Sequence, residues 1–360
     1  MITKVYYDAN FAVERFRGMG KFINQFVSVM KQDLSYNVTG LLTGNRILSQ
    51  YLSFGFSNYI LWEQLSLFLF LIKNEGTMIF PYNTASLFIK KSDKNILIIH
   101  DLIFMKEFSS KSLKQLVGSL YRRFILPRII TKFTNIITVS EYSKRQIADF
   151  FNLDPNKIFV IPNTIQYTPD DIKKNIRFEK KENYIFHIGG EPKYKNSLIL
   201  LKAFAKLSEH IKNTFFLKVV GIRSSETLKM FKKTAIELCI QDRVVFLNYQ
   251  SDDEIAELYR NAKMFVLPSF EEGFGIPLIE SMKYGCPLIC SSTSCFPEIA
   301  KQAATYFNPS DSSDLASKIN GVISDGYATS LKVSMGYEIL KEYSYDKFEE
   351  TVKSFLGQMR

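Results

Sequence analysis

The sequence predicts an α/β protein built on two parallel sheets, each wrapped by helices. Three observations carry this. Short apolar runs alternate with helical periodicities through both halves of the chain. Residues 96–99 are continuously apolar, as in a strand covered on both faces. The chain is 360 residues long, enough for two domains or one large one, and its hydrophobic fraction of 46% supplies cores and excludes general disorder.

Residues 4–8 read as the first strand. Gly18-Met19-Gly20 then precedes an amphipathic helix. It is not a dinucleotide fingerprint, because Ile23 stands where a small third residue is required. It does place backbone N–H groups beside a helix start. Further strands are expected at 38–42, 77–80 and 96–99, the last ending at His100-Asp101. In open α/β sheets the carboxyl ends of strands line the ligand crevice, so His100 is as open to a ligand role as to a structural one.

A helix is expected over 111–126, with Leu113, Leu116, Leu120 and Phe124 on one face. Pro127 should kink or stop it. A strand at 135–139 leads to Ser140 or Glu141 near a helix cap, and a strand at 157–161 closes this half. Residues 168–182 are charged and aperiodic, which predicts a linker. Strands at 184–188, 216–220, 244–247, 264–267, 287–290 and 305–307 repeat the alternation.

The chemistry concentrates between Phe270 and Met282. A short apolar strand ends at Pro268, a loop carries Glu272, Gly273 and Gly275, and Pro277 opens a helix that carries Glu280. Glycines let backbone approach a ligand, and free N–H groups of a first helical turn favour an anion. Two glutamates eight residues apart can both accept from hydroxyl groups if the loop folds back. Upstream, the strand at 184–188 runs into Gly189-Gly190-Glu191-Pro192-Lys193-Tyr194-Lys195-Asn196. A glycine pair leaves room for a ligand, and a cation at the following helix start can meet phosphate. His187, mid-strand, reads as structural.

The formal charge is +10, and residues 106–145 hold nine Lys or Arg against two carboxylates. Such a patch suits an anionic surface: membrane lipid, nucleic acid or a phosphorylated substrate. Residues 65–72 are very apolar but only eight long, far short of the roughly 18 a span needs. They predict a buried helix with an apolar face, a candidate for membrane contact. Cys239, Cys286, Cys290 and Cys295 match neither a zinc site nor Cys-x-x-Cys. With a strand-like start and no secretory leader, reduced thiols in the cytosol are expected.

Three segments together resemble the family-4 retaining glycosyltransferases: 189–196, 272–280 with its Glu-x7-Glu spacing, and 285–291. Residues 252–259, Pro297-Glu298, Gly18-Met19-Gly20, 100–102 and 139–143 are similar to further segments of that family. The resemblance covers nearly the whole chain and is weakest over 42–76. It implies a GT-B architecture, two Rossmann-like domains with parallel sheets facing across a cleft. The expected divisions are an acceptor domain at 1–167, the linker at 168–182, a nucleotide-sugar domain at 183–343, and a C-terminal helix at 344–360 crossing back to the first domain.

The resemblance also implies roles. Glu280 would bind ribose hydroxyls, and Glu272 the donor sugar beside the backbone of Gly273, Phe274, Gly275 and Ile276. Lys195 would neutralise the diphosphate leaving group, with Gly18 and Gly20 approaching it. Gly189 and Gly190 would leave space beside it. His100 would contact the sugar near the reacting carbon. Glu272, His100 and Lys195 form the expected catalytic set, with no protein base and no metal or cofactor. Many relatives carry Arg where this chain has Gly190, and Lys193 can substitute. The expected partners are a UDP-, GDP- or dTDP-sugar and a glycan acceptor, lipid-linked in one version, with peripheral contact to an anionic membrane. No nucleic acid is expected. The competing readings are a sugar-nucleotide epimerase on the same fold and a basic nucleic-acid-binding protein.

Overall fold

The computed structural model describes residues 2–13, 18–44, 48–106, 113–175 and 177–359. The chain forms two compact units, Met1–Thr164 with Tyr345–Arg360, and Ile165–Ser344.

The first unit is built on a seven-stranded parallel sheet in the order β3-β2-β1-β4-β5-β6-β7. Its strands are β1 (Thr3–Asp8), β2 (Tyr36–Thr43), β3 (Tyr51–Phe54), β4 (Thr77–Phe80), β5 (Ser92–Ile98), β6 (Phe133–Thr138) and β7 (Ile158–Val160). The second has six parallel strands in the order β10-β9-β8-β11-β12-β13. These are β8 (Glu182–Ile188), β9 (Phe216–Val220), β10 (Val244–Phe246), β11 (Ala262–Leu267), β12 (Leu288–Ser291) and β13 (Ala304–Phe307). Both sheets start in the middle, build outward to one edge, then return to build the other. The order reverses between β1 and β4, and again between β8 and β11. In sheets of this kind ligands bind beyond the strand ends at such a reversal.

The central strands are apolar on both faces because helices cover both faces. In the first unit Met78, Phe80, Leu97, Ile136 and Trp62 share one buried cluster. In the second, Ile185, Leu217, Met264, Val266 and Ile289 do so with the Ser197–Ala205 helix. The C-terminal helix Tyr345–Gln358 packs on the Gly18–Gln32 helix of the first unit. Phe348 meets Phe22 at 5.8 Å between ring centroids, and Phe355 meets Phe26 at 6.3 Å.

Four expectations need correction. β3 was not expected; its Tyr-Leu-Ser-Phe is too short and mixed to show a period. Residues 168–182 are not a linker but part of the second unit. Thr168 and Asp171 form a capping box on the Pro169–Lys173 helix. Asn175 donates to the Lys283 carbonyl at 2.8 Å, and Phe178 is buried. The 111–126 helix appears as Leu113–Ile129 and runs through Pro127. Lys111 lies outside the described residues. Its apolar face does not all turn inward: Leu120 and Phe124 are exposed. Residues 65–72 lie in a helical stretch over 59–73 that buries Trp62, Ser66 and Leu67 but exposes Leu65, Leu69 and Ile72.

Candidate active site

In the second unit the loops after β8 and β11 meet at the strand-order reversal. The turn Lys193–Lys195 ends at Asn196 in the left-handed region, with φ 52°. Asn tolerates that conformation. The Asn196 amide donates to the carbonyls of Pro268 (3.1 Å) and Pro309 (2.8 Å). The Phe270 N–H donates to the Tyr194 carbonyl at 2.7 Å. These bonds stitch the two loops together.

The stitching brings Lys195 Nζ to 2.6 Å from Glu272 Oε1. The side chains retain only 25% and 14% of their exposure. Ser269 Oγ donates to the same carboxylate oxygen at 2.9 Å. Glu272 is also held by its backbone: its N–H donates to Ser294 Oγ at 3.0 Å, and that hydroxyl donates to the Glu272 carbonyl at 2.9 Å. Gly190 makes room for the lysine, since a Cβ there would lie 3.2 Å from Lys195 Cγ. Gly189 donates to the Val220 carbonyl at 2.7 Å and lies against His187. Lys193 is exposed on the same turn.

Beyond Glu272 the chain enters the Ile276–Lys283 helix. Gly275 sits at its N-cap with φ 82°, a conformation that favours glycine. No side chain caps this end, and Pro277 in the first turn lacks a donor that would otherwise need one. The Phe274 side chain is buried edge-on to Tyr343 at 5.4 Å between centroids, so only its backbone is available to a ligand. Glu280 lies just beyond the first turn. Its Oε2 accepts from the hydroxyl of the buried Tyr259 at 3.2 Å. Burial raises the tyrosine's ionisation well above its ordinary value, which keeps it a donor and fixes the carboxylate.

Behind this site His187 bridges β8, β11 and the following helix. Nδ1 lies 2.9 Å from the Val266 carbonyl and Nε2 2.9 Å from Ser197 Oγ. Burial lowers its pKa to about 4, so it is neutral. Its role is structural.

The remaining predicted residues lie in the first unit. Gly18 opens the Gly18–Gln32 helix. A Cβ on Gly20 would lie 2.4 Å from the Phe11 carbonyl oxygen, so packing of the preceding loop already requires glycine there. His100 follows β5 and is buried, and burial lowers its pKa to about 4. Its Nε2 lies 3.1 Å from the Pro81 carbonyl. A carbonyl can only accept, so Nε2 carries the proton and Nδ1 is left as the acceptor.

Ser269 and Ser294 escaped the sequence reading, and Asn196 and Tyr259 entered it only as members of the 189–196 and 252–259 segments. Ser269 had a signal, since it directly follows a strand's carboxyl end. Ser294, with φ 64°, had none.

The arrangement provides an ammonium and an uncapped helix N-terminus for an anion, with two carboxylates fixed nearby for hydroxyl groups. Two Rossmann-like units, one carrying this site, define a protein of the GT-B class. Residues 169–341 match the family model described as glycosyl transferases group 1, and the chain carries a glycosyl transferases group 1 domain. It is 30% identical over 244 residues to the O-antigen chain mannosyltransferase RfbU of Salmonella typhimurium, covering 68% of this chain and 65% of that protein. It is 26% identical over 219 residues to O-antigen chain mannosyltransferase B of Escherichia coli, covering 59% of this chain and 57% of that one. The match thus spans under two thirds of either relative.

Among solved structures, a sucrose-phosphate synthase from Thermosynechococcus elongatus superposes with a TM-score of 0.74 at 15% identity, covering 99% of each chain. Anabaena Alr3699/HepE in complex with UDP also gives 0.74, at 16% identity, covering 99% of this chain and 100% of that one. At these identities the likeness shows the fold. The comparisons lend no support to the epimerase or nucleic-acid readings.

Proposed function

We propose that the protein transfers a sugar from a nucleotide-sugar donor to a hydroxyl of a glycan acceptor in surface polysaccharide synthesis. One observation carries the reading: Lys195 and Glu272 form an ion pair at the strand-order reversal, beside an uncapped helix N-terminus that leads to Glu280. The O-antigen mannosyltransferases among the relatives support a hexose as the transferred group. Structures titled as complexes with UDP and UDP-glucose in proteins of this fold support a nucleoside diphosphate carrier.

In this reading the carbon–oxygen bond from the sugar to the diphosphate breaks and its electron pair leaves with the phosphate. Lys195 and the helix N–H groups stabilise that developing charge, where a protein can help most. The ion pair with Glu272 holds the ammonium in place beforehand. When the diphosphate takes the ammonium, Glu272 turns to the sugar hydroxyls and Glu280 to the ribose. The acceptor oxygen bonds to the sugar carbon on the face the phosphate leaves, and the acceptor proton passes to the departing phosphate. Anomeric configuration is therefore retained without a protein nucleophile or base. In the first unit His100 Nδ1 is left as an acceptor for a hydroxyl group.

No metal is required in this scheme, because a lysine supplies the positive charge. The acceptor is lipid-linked and the reaction cytosolic; the four free cysteines suit a reducing compartment.

The test is a thermal-shift screen against UDP-, GDP- and dTDP-sugars, since a ligand that binds only the native state raises apparent stability. One nucleotide series should raise the melting temperature, and Glu280→Ala and Lys195→Ala should each remove that rise. Product NMR should then show a retained anomeric configuration, unaffected by a metal chelator. If no donor is bound, or both variants turn over like wild type, the reading fails.

A further inference from the structure

The second unit holds a cavity of about 450 Å³ at the end of its sheet opposite the Lys195–Glu272 pair. Lys181, which directly precedes β8, and Gly285, just before β12, both line it, so it lies at the amino ends of those strands. The candidate active site lies past the carboxyl ends of β8 and β11, and these strands are all parallel. Asn175, Arg177 and one face of the Gly326–Leu340 helix, from Ser330 to Tyr337, form the walls. The walls are tightly fixed. Gly285 has φ 58°, and a Cβ there would lie 2.2 Å from the Tyr337 hydroxyl oxygen, so the close approach requires glycine. Asn175 Nδ2 donates to the Lys283 carbonyl at 2.8 Å and to the Tyr337 hydroxyl at 3.0 Å.

Three lining groups are short of partners. Asn175 has used both amide hydrogens, and its Oδ1 is buried with no hydrogen bond, a state that folded proteins avoid. Lys181 is only 5% exposed. One of its three donors goes to the Arg260 carbonyl at 2.6 Å, and no carboxylate among the described residues pairs with it. A buried charge is costly without a counter-charge. Arg177 is exposed, and its guanidinium has no hydrogen bond or ion pair among the described residues. Glu179 is the carboxylate in the lining; it is exposed and lies near Lys263, so it leaves the two cations in excess. An ammonium beside a guanidinium fork calls for an anion, and a phosphate has oxygens for both. The free Asn175 oxygen calls for a hydroxyl donor. The volume is that of a small organic molecule rather than a bare ion.

We infer that this cavity binds a small phosphorylated polyhydroxy compound, its phosphate on Lys181 and Arg177 and one of its hydroxyl groups donating to Asn175 Oδ1. The inference stands apart from the transferase reading: binding here can fail while donor turnover survives, and the reverse.

The test is titration calorimetry on the full chain with mannose 6-phosphate and ribose 5-phosphate, beside mannose, ribose and orthophosphate. At least one ester should bind, with its free sugar and orthophosphate each weaker by about tenfold or more. Arg177→Glu and Ser334→Glu change exposed residues of the lining. Each should melt like wild type and weaken the ester by about tenfold or more. Lys229→Glu, exposed on the Ser225–Glu237 helix and outside the lining, should bind the ester like wild type. So should Lys195→Ala, at the other end of the sheet. Absence of binding by both esters, equal binding of orthophosphate, or unchanged binding in either glutamate variant overturns the inference. So does loss of binding in Lys195→Ala, because the ester would then occupy the candidate active site.

Discussion

Lys195 and Glu272 are each ordinary alone; a loop lysine and a loop glutamate are more often solvated than functional. What distinguishes them is a contact of 2.6 Å between segments 77 residues apart, with Ser269 donating to the same oxygen. Lys195→Ala should lower kcat/KM for the donor about 100-fold or more, the scale of losing one charge-stabilising group. Its cost in stability should be about 1.5–3 kcal/mol, the range for a hydrogen bond to a charged group. Donor turnover beside a urea melt separates the two effects.

A second prediction at this scale concerns pH. The Tyr59 hydroxyl lies 2.9 Å from Asp8 Oδ2 and 3.0 Å from Glu63 Oε1. It has one proton to give, so both contacts are hydrogen bonds only when one carboxyl is protonated. Burial pushes Asp8 up to about 6 and Glu63 up to about 7. A carboxyl raised in this way contributes stability that is complete below its unfolded value and is lost as pH rises through the folded one. His100 and His187 act the other way. Burial lowers both to about 4, so the stability from keeping them neutral is lost as pH falls from about 6.5 to 4. The two effects oppose each other below about pH 6.5, and above it the carboxyl effect remains. Stability should therefore fall by about 1 kcal/mol between pH 6.5 and 8, and Glu63→Gln should flatten that fall. Denaturant melts across that range would detect it; an unchanged slope in the variant would remove the shared proton from the account.

At the scale of elements, the Ile276–Lys283 helix depends on how it begins. Gly275 has φ 82°, and a Cβ there would lie 3.1 Å from Leu278 Cδ1. Gly275→Ala should cost about 1–3 kcal/mol in left-handed strain and re-aim the first-turn N–H groups. Donor affinity should then fall along with stability, which calorimetry on the variant would read. Gly20 gives a different lesson. Its glycine was expected for a ligand, yet the Phe11 carbonyl alone excludes a Cβ. The helix over Leu113–Ile129 shows why periodicity was an incomplete guide. A period of 3.6 identifies an apolar face but not its direction, and here Leu120 and Phe124 point to solvent.

For the whole molecule, the C-terminal helix completes the first unit from the far end of the chain. Phe348, Val352, Phe355 and Leu356 are buried, and Phe355 meets both Phe26 and Phe159. Phe355→Ala should destabilise the first unit by about 3–5 kcal/mol through the cavity left behind. Hydrogen exchange should show that loss in residues 2–164 with little change in 165–344. Equal losses in both units would mean that they unfold together.

The sequence by itself determined the alternation of strands and helices, the parallel sheets and the strand–loop–helix frame around Glu272 and Glu280. Each of these follows from local periodicity, from glycine and proline placement, or from a motif read within a few residues. Only the tertiary structure decided that Lys195 pairs with Glu272, that Tyr259 fixes Glu280, and that 168–182 belongs to the second unit. It also decided that Gly20 serves its own chain and that two apolar helix faces turn outward. Those outcomes depend on which distant segments come within bonding distance and which faces find cover, and the burial pattern of a single segment encodes neither.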